Sequence, residues 1–186
     1  MLNYPQRISL CGFGGQGIIL AAVILGTAAV TRGNLYAVQT QSYGSEARGG
    51  QCQAELIVDE KRINSPVAEK KNLLIALFQD AYEKYIGGLE DDGVLVIDPQ
   101  LVTNPVGKVK NTFEVPATQI AVDLGNRMAA NMVVLGFVCE CLGVVKKEDL
   151  IETVKENVPA RFVELNVKAV EAGVAYARDN GMYYKS

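Results

Sequence analysis

The sequence predicts an α/β domain built in three layers, α/β/α, around a largely parallel sheet, with a helical C-terminal third. Three observations carry this prediction. Short apolar runs bounded by glycine or proline alternate with helical patterns through the first part of the chain. Two of the runs, Asn72–Phe78 and Gly93–Asp98, are too continuously apolar for a half-exposed strand and suit strands covered on both faces. From Pro116 onward the pattern is helical, punctuated by glycines 125, 143 and 181 and by Pro159.

The elements follow in order. Arg7–Gly12 reads as a strand ending in a glycine turn, and Ile18–Val30 as a helix stopped by Gly33. Asn34–Gln41 reads as a second strand with Leu35, Ala37 and Gln39 on one face, and Ser42–Gly50 as a glycine-rich loop. Gln51–Asp59 alternates through Cys52, Ala54, Leu56 and Val58, as a third strand does. Pro66 lies in a connection before the strand at Asn72. Gln79–Ile86 is a helix ended by Gly87 and Gly88, and Gly93–Asp98 is a strand stopped by Pro99. Val109–Val115 forms a further strand. The C-terminal helices are Ala117–Gly125, Arg127–Leu142, Lys147–Asn157 and Arg161–Asn180. With 186 residues and no repeat, linker or low-complexity tract, residues 1–186 form a single domain.

Composition narrows the chemistry. Hydrophobic residues are 49% and charged residues 21%, which excludes disorder for most of the chain. A net charge of -3 argues against general affinity for nucleic acid, which requires excess cations. The absence of histidine removes imidazole metal ligands, histidine acid–base catalysis and the Ser-His-Asp and Cys-His nucleophile pairs. The four cysteines, at 11, 52, 139 and 141, contain no Cys-x-x-Cys spacing and read as buried thiols in a reducing compartment. The N-terminus has no apolar signal core, and the longest apolar stretch falls short of the ~18 residues of a membrane span. The expected location is cytoplasmic, without a membrane anchor.

Two predicted helices are too apolar for ordinary surface helices. Ile18–Val30 has no charged residue, and Met128–Val145 has Glu140 before its terminal lysines. A surface helix shows a polar face. Each is therefore buried within the domain or covered by another subunit.

Two glycine loops are the candidate functional features. Gly12-x-Gly14-x-x-Gly17 lies between a strand and a helix, the context of the dinucleotide fingerprint in Rossmann-like folds. Glycines there permit positive φ and close backbone approach, and the helix N-terminus offers free N–H groups to an anion. The rest of the fingerprint is missing. The second strand ends Val38-Gln39-Thr40-Gln41, and Glu46 is the first carboxylate after Gly17. The loop is either a tight turn that lets helix and sheet pack, or a contact for phosphate or a subunit. The second loop, Ser42-Tyr43-Gly44-Ser45-Glu46-Ala47-Arg48-Gly49-Gly50, sets Glu46 and Arg48 among small residues. Arg48 could clamp an anion bidentately, and Glu46 could orient it or meet a partner's cation, or the two form a surface ion pair.

Together, Gly12-Phe13-Gly14-Gly15-Gln16-Gly17, Ser42-Tyr43-Gly44, Glu46-x-Arg48-Gly49-Gly50 and Asn64-Ser65-Pro66 resemble the γ subunit of 2-oxoacid:ferredoxin oxidoreductases. The resemblance runs along nearly the whole chain and is nearest to the 2-oxoglutarate branch, in which position 45 is usually proline rather than Ser45. It implies membership of a complex that decarboxylates a 2-oxoacid on thiamine diphosphate. Electrons pass through iron–sulfur clusters to ferredoxin, and the acyl group to coenzyme A. It implies that α and β subunits hold thiamine diphosphate and magnesium, and that a β or ferredoxin-like δ subunit holds the clusters. This chain agrees: it lacks a Cys₄ spacing, and Asp91-Asp92-Gly93 is not the magnesium-binding Gly-Asp-Gly pattern.

The chain is thus expected to be catalytically silent alone, with no catalytic or metal-binding residue, and to hold α and β together. The resemblance further implies coenzyme A binding at Gly12, Gly14, Gly15, Gln16, Gly17, Ser42, Glu46, Arg48, Gly49 and Gly50. Two readings stand against it: a self-sufficient nicotinamide-dependent oxidoreductase built on the glycine fingerprint, and an assembly protein that binds no ligand.

Overall fold

A computed structural model describes residues 3–43, 50–106 and 109–184, with Tyr43 as backbone alone. Six strands form one sheet in the order β2-β3-β1-β4-β5-β6. They are β1 (Gln6–Phe13), β2 (Tyr36–Tyr43), β3 (Gln51–Asp59), β4 (Lys71–Ala76), β5 (Leu89–Ile97) and β6 (Asn111–Glu114). The helices are α1 (Ile18–Thr31), α2 (Gln79–Tyr85), α3 (Ala117–Asp123), α4 (Ala130–Leu142), α5 (Lys147–Asn157) and α6 (Ala160–Asp179).

The right half of the sheet is parallel: β1 with β4, β4 with β5 and β5 with β6. The left half is a hairpin, in which β3 runs antiparallel to both β2 and β1. Three of the five pairings are therefore parallel. The sequence could not show that β3 inserts between β1 and β2, because alternation reports which face a residue takes and not which neighbour a strand has.

Most boundaries fall within a residue or two of expectation. The two-residue shift of β2 matters most, since it continues through Ser42 and Tyr43, which pair with Gln53 and Cys52. Ser42, expected in the loop, is a strand residue. β5 begins earlier than expected, at Leu89, because Lys71 pairs with Leu89 before a register shift restores pairing at Leu73 and Val94. The helix expected from Arg127 opens as a 3₁₀ turn, Arg127–Ala129, where the Asn126 side chain accepts from the Met128 N–H at 3.0 Å.

Alternation divides the core in two. Ile8 and Leu10 of β1, with Ala54, Leu56 and Val58 of β3, meet α1 and the C-terminal helices. Cys11, Leu74, Leu95 and Ile97 meet α2 through Ala81 and Tyr82. The second layer is thin, because α2 is seven residues long. Beside it the sheet turns polar. Buried Gln53 donates to Ser9 Oγ at 2.9 Å, and Lys71 pairs with Glu55 at 3.0 Å.

The two uncharged segments fare differently. α4 is buried on nearly every side: all of Asn131–Cys139 are covered, as are Cys141 and Leu142. Its partner is α6, packed at glycine contact. A Cβ on Gly136 would lie 2.0 Å from the Val170 carbonyl oxygen, and one on Gly173 would lie 1.9 Å from that of Val133. Only glycine at both sites allows this approach. α1 buries Ala21, Ala22, Ile24, Leu25, Ala28 and Ala29, yet leaves Leu20 38%, Val23 38% and Val30 47% exposed. These lie at helical spacings along one ridge. All four cysteines are free and buried.

Candidate functional site: the glycine turn at the switch of the sheet

Chain order reverses direction at β1. From β1 the chain builds β2 and β3 on one side, then crosses to build β4, β5 and β6 on the other. In an open α/β sheet the carboxyl ends of the strands at such a switch form the ligand crevice. Here those ends are Phe13 and the glycine turn on one side and Leu77–Phe78 on the other.

The turn is tightly braced. The Phe13 N–H donates to Gln16 Oε1 at 2.6 Å, and Gln16 Nε2 donates to the Leu77 carbonyl at 2.8 Å. The Gln16 amide is thereby engaged at both ends, and it bridges the crevice. Above it the Phe13 and Phe78 rings pack with centroids 5.2 Å apart. The Leu77 N–H donates to the Cys11 carbonyl at 2.9 Å, and the Gln16 N–H to that of Phe13 at 3.1 Å.

The glycines have different duties. A Cβ on Gly12 would lie 2.5 Å from Gln16 Oε1 and 2.7 Å from Ile18 Cδ1, so Gly12 serves packing. Gly17 caps α1 at φ 72°, and a Cβ there would lie 2.4 Å from Asn131 Nδ2. Gly15 is unlike both: φ is 97°, and no atom of the described residues lies within 4 Å of where its Cβ would be. It presents bare backbone outward. α1 carries no side-chain cap and no acidic residue in its first turn, which leaves that turn's N–H groups facing the same side.

Asn131 is a site residue that sequence reasoning missed. Its Nδ2 donates to the Gly17 carbonyl at 3.2 Å, and its Oδ1 accepts from the Met132 N–H at 2.9 Å. It ties the start of α4 to the start of α1. Its signal was available: it is a polar residue near the head of an otherwise apolar helix.

Among the described residues, Gly50 at the end of the second loop meets the first. The Gly14 N–H donates to the Gly50 carbonyl at 3.0 Å. The register sets Gly12 opposite Cys52 and Cys52 opposite Tyr43, so both loops leave the same end of the sheet. Ser42 lies exposed on β2, on the polar face with Gln53. Glu46, Arg48 and Gly49 lie outside the described residues.

This geometry opposes a nicotinamide site. In the dinucleotide fold the strand bearing the ribose-binding carboxylate neighbours β1. Here β3 stands between, so β2 lies about 9.6 Å from β1 at the usual strand spacing. β2 also ends without a carboxylate, and Gln16 and the two phenylalanines span the crevice. The buried Asp98 carboxylate after β5 is occupied structurally, accepting from the Thr118 N–H at 2.7 Å and the Gln100 N–H at 2.9 Å. Among the described residues, no group of three His, Cys, Asp or Glu is placed to hold a metal ion, and no helix is long and apolar enough to cross a membrane.

Comparison with known proteins agrees with this geometry. The profile of the pyruvate ferredoxin/flavodoxin oxidoreductase family matches residues 7–176. The 2-oxoglutarate synthase subunit KorC of Methanocaldococcus jannaschii is 40% identical over 177 residues, spanning 94% of this chain and 95% of that protein. The crystal structure of a keto/oxoacid ferredoxin oxidoreductase γ subunit from Geobacter sulfurreducens superposes with a TM-score of 0.83 at 39% identity, covering 94% of this chain and 99% of that one. A 2-oxoglutarate:ferredoxin oxidoreductase from Magnetococcus marinus shares the fold, with a TM-score of 0.83 at 20% identity over 96% of this chain and 32% of the other. The chain belongs to the pyruvate ferredoxin/flavodoxin oxidoreductase family and is of its γ-subunit type.

Proposed function

We propose that the chain works as the γ subunit of a 2-oxoglutarate:ferredoxin oxidoreductase, giving a docking surface to the α and β subunits and a backbone cradle to coenzyme A. Thiamine diphosphate and magnesium then belong to the α and β chains, and the iron–sulfur clusters to a β or δ chain. The substrate assignment follows three KorC relatives, 37–40% identical. Coenzyme A is the acyl acceptor, and its phosphates are the groups the turn would hold.

The observation that carries the reading is an uncharged turn feeding an uncharged helix. Among the described residues nothing approaches the Cβ side of Gly15, the first turn of α1 has no side-chain cap, and the outward ridge Leu20, Val23, Val30 has no covering element. Bare amides suit phosphate oxygens, and a greasy ridge suits a subunit. Gln16 holds the turn in shape and the Gly14 N–H is taken by the Gly50 carbonyl, so the contacts to phosphate fall to the backbone of Gly15 and Gly17, and Arg48 is the second-loop residue whose charge suits them.

The complex assembled with a Gly15→Val subunit tests the cradle. A β-branched residue is strained at this φ and fills the approach. The expected result is an intact complex whose apparent KM for coenzyme A rises at least tenfold while that for 2-oxoglutarate holds. An unchanged KM for coenzyme A refutes the cradle. Arg48→Ala sharpens it: a raised KM for coenzyme A places the arginine on phosphate, and an unchanged one places it against a subunit.

A further inference from the structure

β1 ends in an aromatic residue that the fold holds still and leaves partly uncovered. Phe13 is its last residue and is 39% exposed, although Ser9 and Cys11 before it on the same face of the strand are buried. The Phe13 N–H is held by Gln16 Oε1, and the ring leans on half-buried Phe78 with the two planes 58° apart. A single exposed apolar residue needs no explanation. A ring fixed at the mouth of a ligand crevice does, because the freedom it would lose on binding is already lost in the free chain.

The adjoining turn supplies the other half of a site. Phe13 and Gly15 are two residues apart, so their Cα atoms are no more than about 7.6 Å from one another. Gly15 turns bare backbone outward, and the first turn of α1, without a side-chain cap, follows it. Amides suit phosphate, and a flat ring suits a base. The two together, within the span of one nucleotide, describe a site for a base and its phosphates. Gln16 and the two rings close the crevice itself, so such a ligand lies across the outer side of Phe13 and not between the strands.

We infer that Phe13 is the stacking platform for the adenine base of coenzyme A. Its role rests on the coenzyme A cradle proposed above and adds which end of the molecule this chain holds. The thiol of coenzyme A collects the acyl group on the companion subunits, so the nucleotide end is the one left to this chain. The pantetheine arm is narrow and flexible and gains little from a flat ring, whereas adenine presents a π face that stacks.

Isothermal titration of the assembled complex tests it, with coenzyme A and with the adenosine bisphosphate half of coenzyme A, which has no pantetheine arm. Phe13→Leu keeps an apolar side chain against Phe78 and removes the flat face. The dissociation constants of both probes are expected to rise at least about fivefold, the low end for a stacked base. Phe13→Tyr keeps the face and is expected to bind both as the wild type does. Unchanged binding of coenzyme A by Phe13→Leu overturns the platform. So does a rise for coenzyme A alone, which would put the ring on the pantetheine arm, and so does a Phe13→Tyr complex as weak as Phe13→Leu. Gly15→Val separates the platform from the cradle. If it weakens coenzyme A and Phe13→Leu does not, the cradle stands and the platform falls; if neither weakens it, both fall.

Discussion

α1 and α4 look alike in sequence and end in opposite circumstances. Neither has a charged residue on the stretch that first marks it as apolar, apart from Glu140 near the end of α4. α4 lies inside the C-terminal helical layer, against α6 on one side and with α3 and α5 beside it. α1 lies over β1, β2 and β3 with one ridge turned outward. The difference comes from what can come close. Gly136 and Gly173 let α6 descend onto α4 until backbone meets backbone. Among the described residues, no element descends onto the outside of the α1 ridge Leu20, Val23, Val30. Uniform apolarity thus does not distinguish a helix buried on nearly every side from one that keeps an exposed ridge; packing does.

Predictions that separate the two helices range from loss of the fold to no effect on it. Gly173→Leu should be the most damaging, because its Cβ alone would overlap the Val133 carbonyl oxygen. Overpacking costs ~1–3 kcal/mol where a core can adjust, and backbone against backbone cannot adjust, so little soluble folded protein is expected. Phe137→Ala should cost ~3–5 kcal/mol in a denaturant titration. The Phe137 ring is fully buried between Phe113 and Tyr176, with centroids 5.8 Å and 6.3 Å away.

The thiols of α4 give a pH-dependent signature of its burial. Desolvation pushes Cys139 up to about 12 and Cys141 up to about 11. Both stay protonated in the fold where an unfolded thiol, near ~8.5, ionises. The unfolded chain therefore binds fewer protons above pH ~8.5, and stability falls as pH rises from there toward the folded values. Denaturation midpoints should decline from pH ~8 to ~10, and Cys139→Ala with Cys141→Ala should lessen that decline, leaving the part due to Cys11 and Cys52, whose thiols burial also pushes up. An equally steep decline in the double variant would assign it to other groups.

On α1 the contrast inverts. Val23→Lys places a charge on an exposed ridge residue and should move stability by less than ~0.5 kcal/mol. The same change should abolish assembly with the α and β subunits in a co-expression pull-down. A destabilised Val23→Lys chain would mean that α1, like α4, is packed from within.

The sequence exposed the layers and hid the neighbours. Alternation in Gln51–Asp59 located β3 and its buried face, and the glycines located the turn between β1 and α1. Periodicity holds no information on strand order, so the placement of β3 between β1 and β2 had no local signal. That placement is what separates the end of β2 from the crevice and removes the dinucleotide reading. Gln16 shows the same limit at one residue. Its polarity and its place in the turn suit a ligand contact, yet its amide spans from Phe13 to Leu77, 61 positions away in the chain. Asn131 is the converse, a residue 114 positions from Gly17 that holds the Gly17 carbonyl and was visible only as a polar interruption of an apolar helix.

Reconstitution tests the central claim most directly: the redox chemistry resides on the companion subunits, and this chain completes them. Ferredoxin reduction driven by 2-oxoglutarate and coenzyme A would be measured for the purified chain, for the complex lacking it, and for the two recombined. The account predicts no turnover by the chain, little by the incomplete complex, and recovery on recombination with wild-type chain but not with Val23→Lys. Turnover by the purified chain unaided, or full activity from the complex that lacks it, would contradict the account.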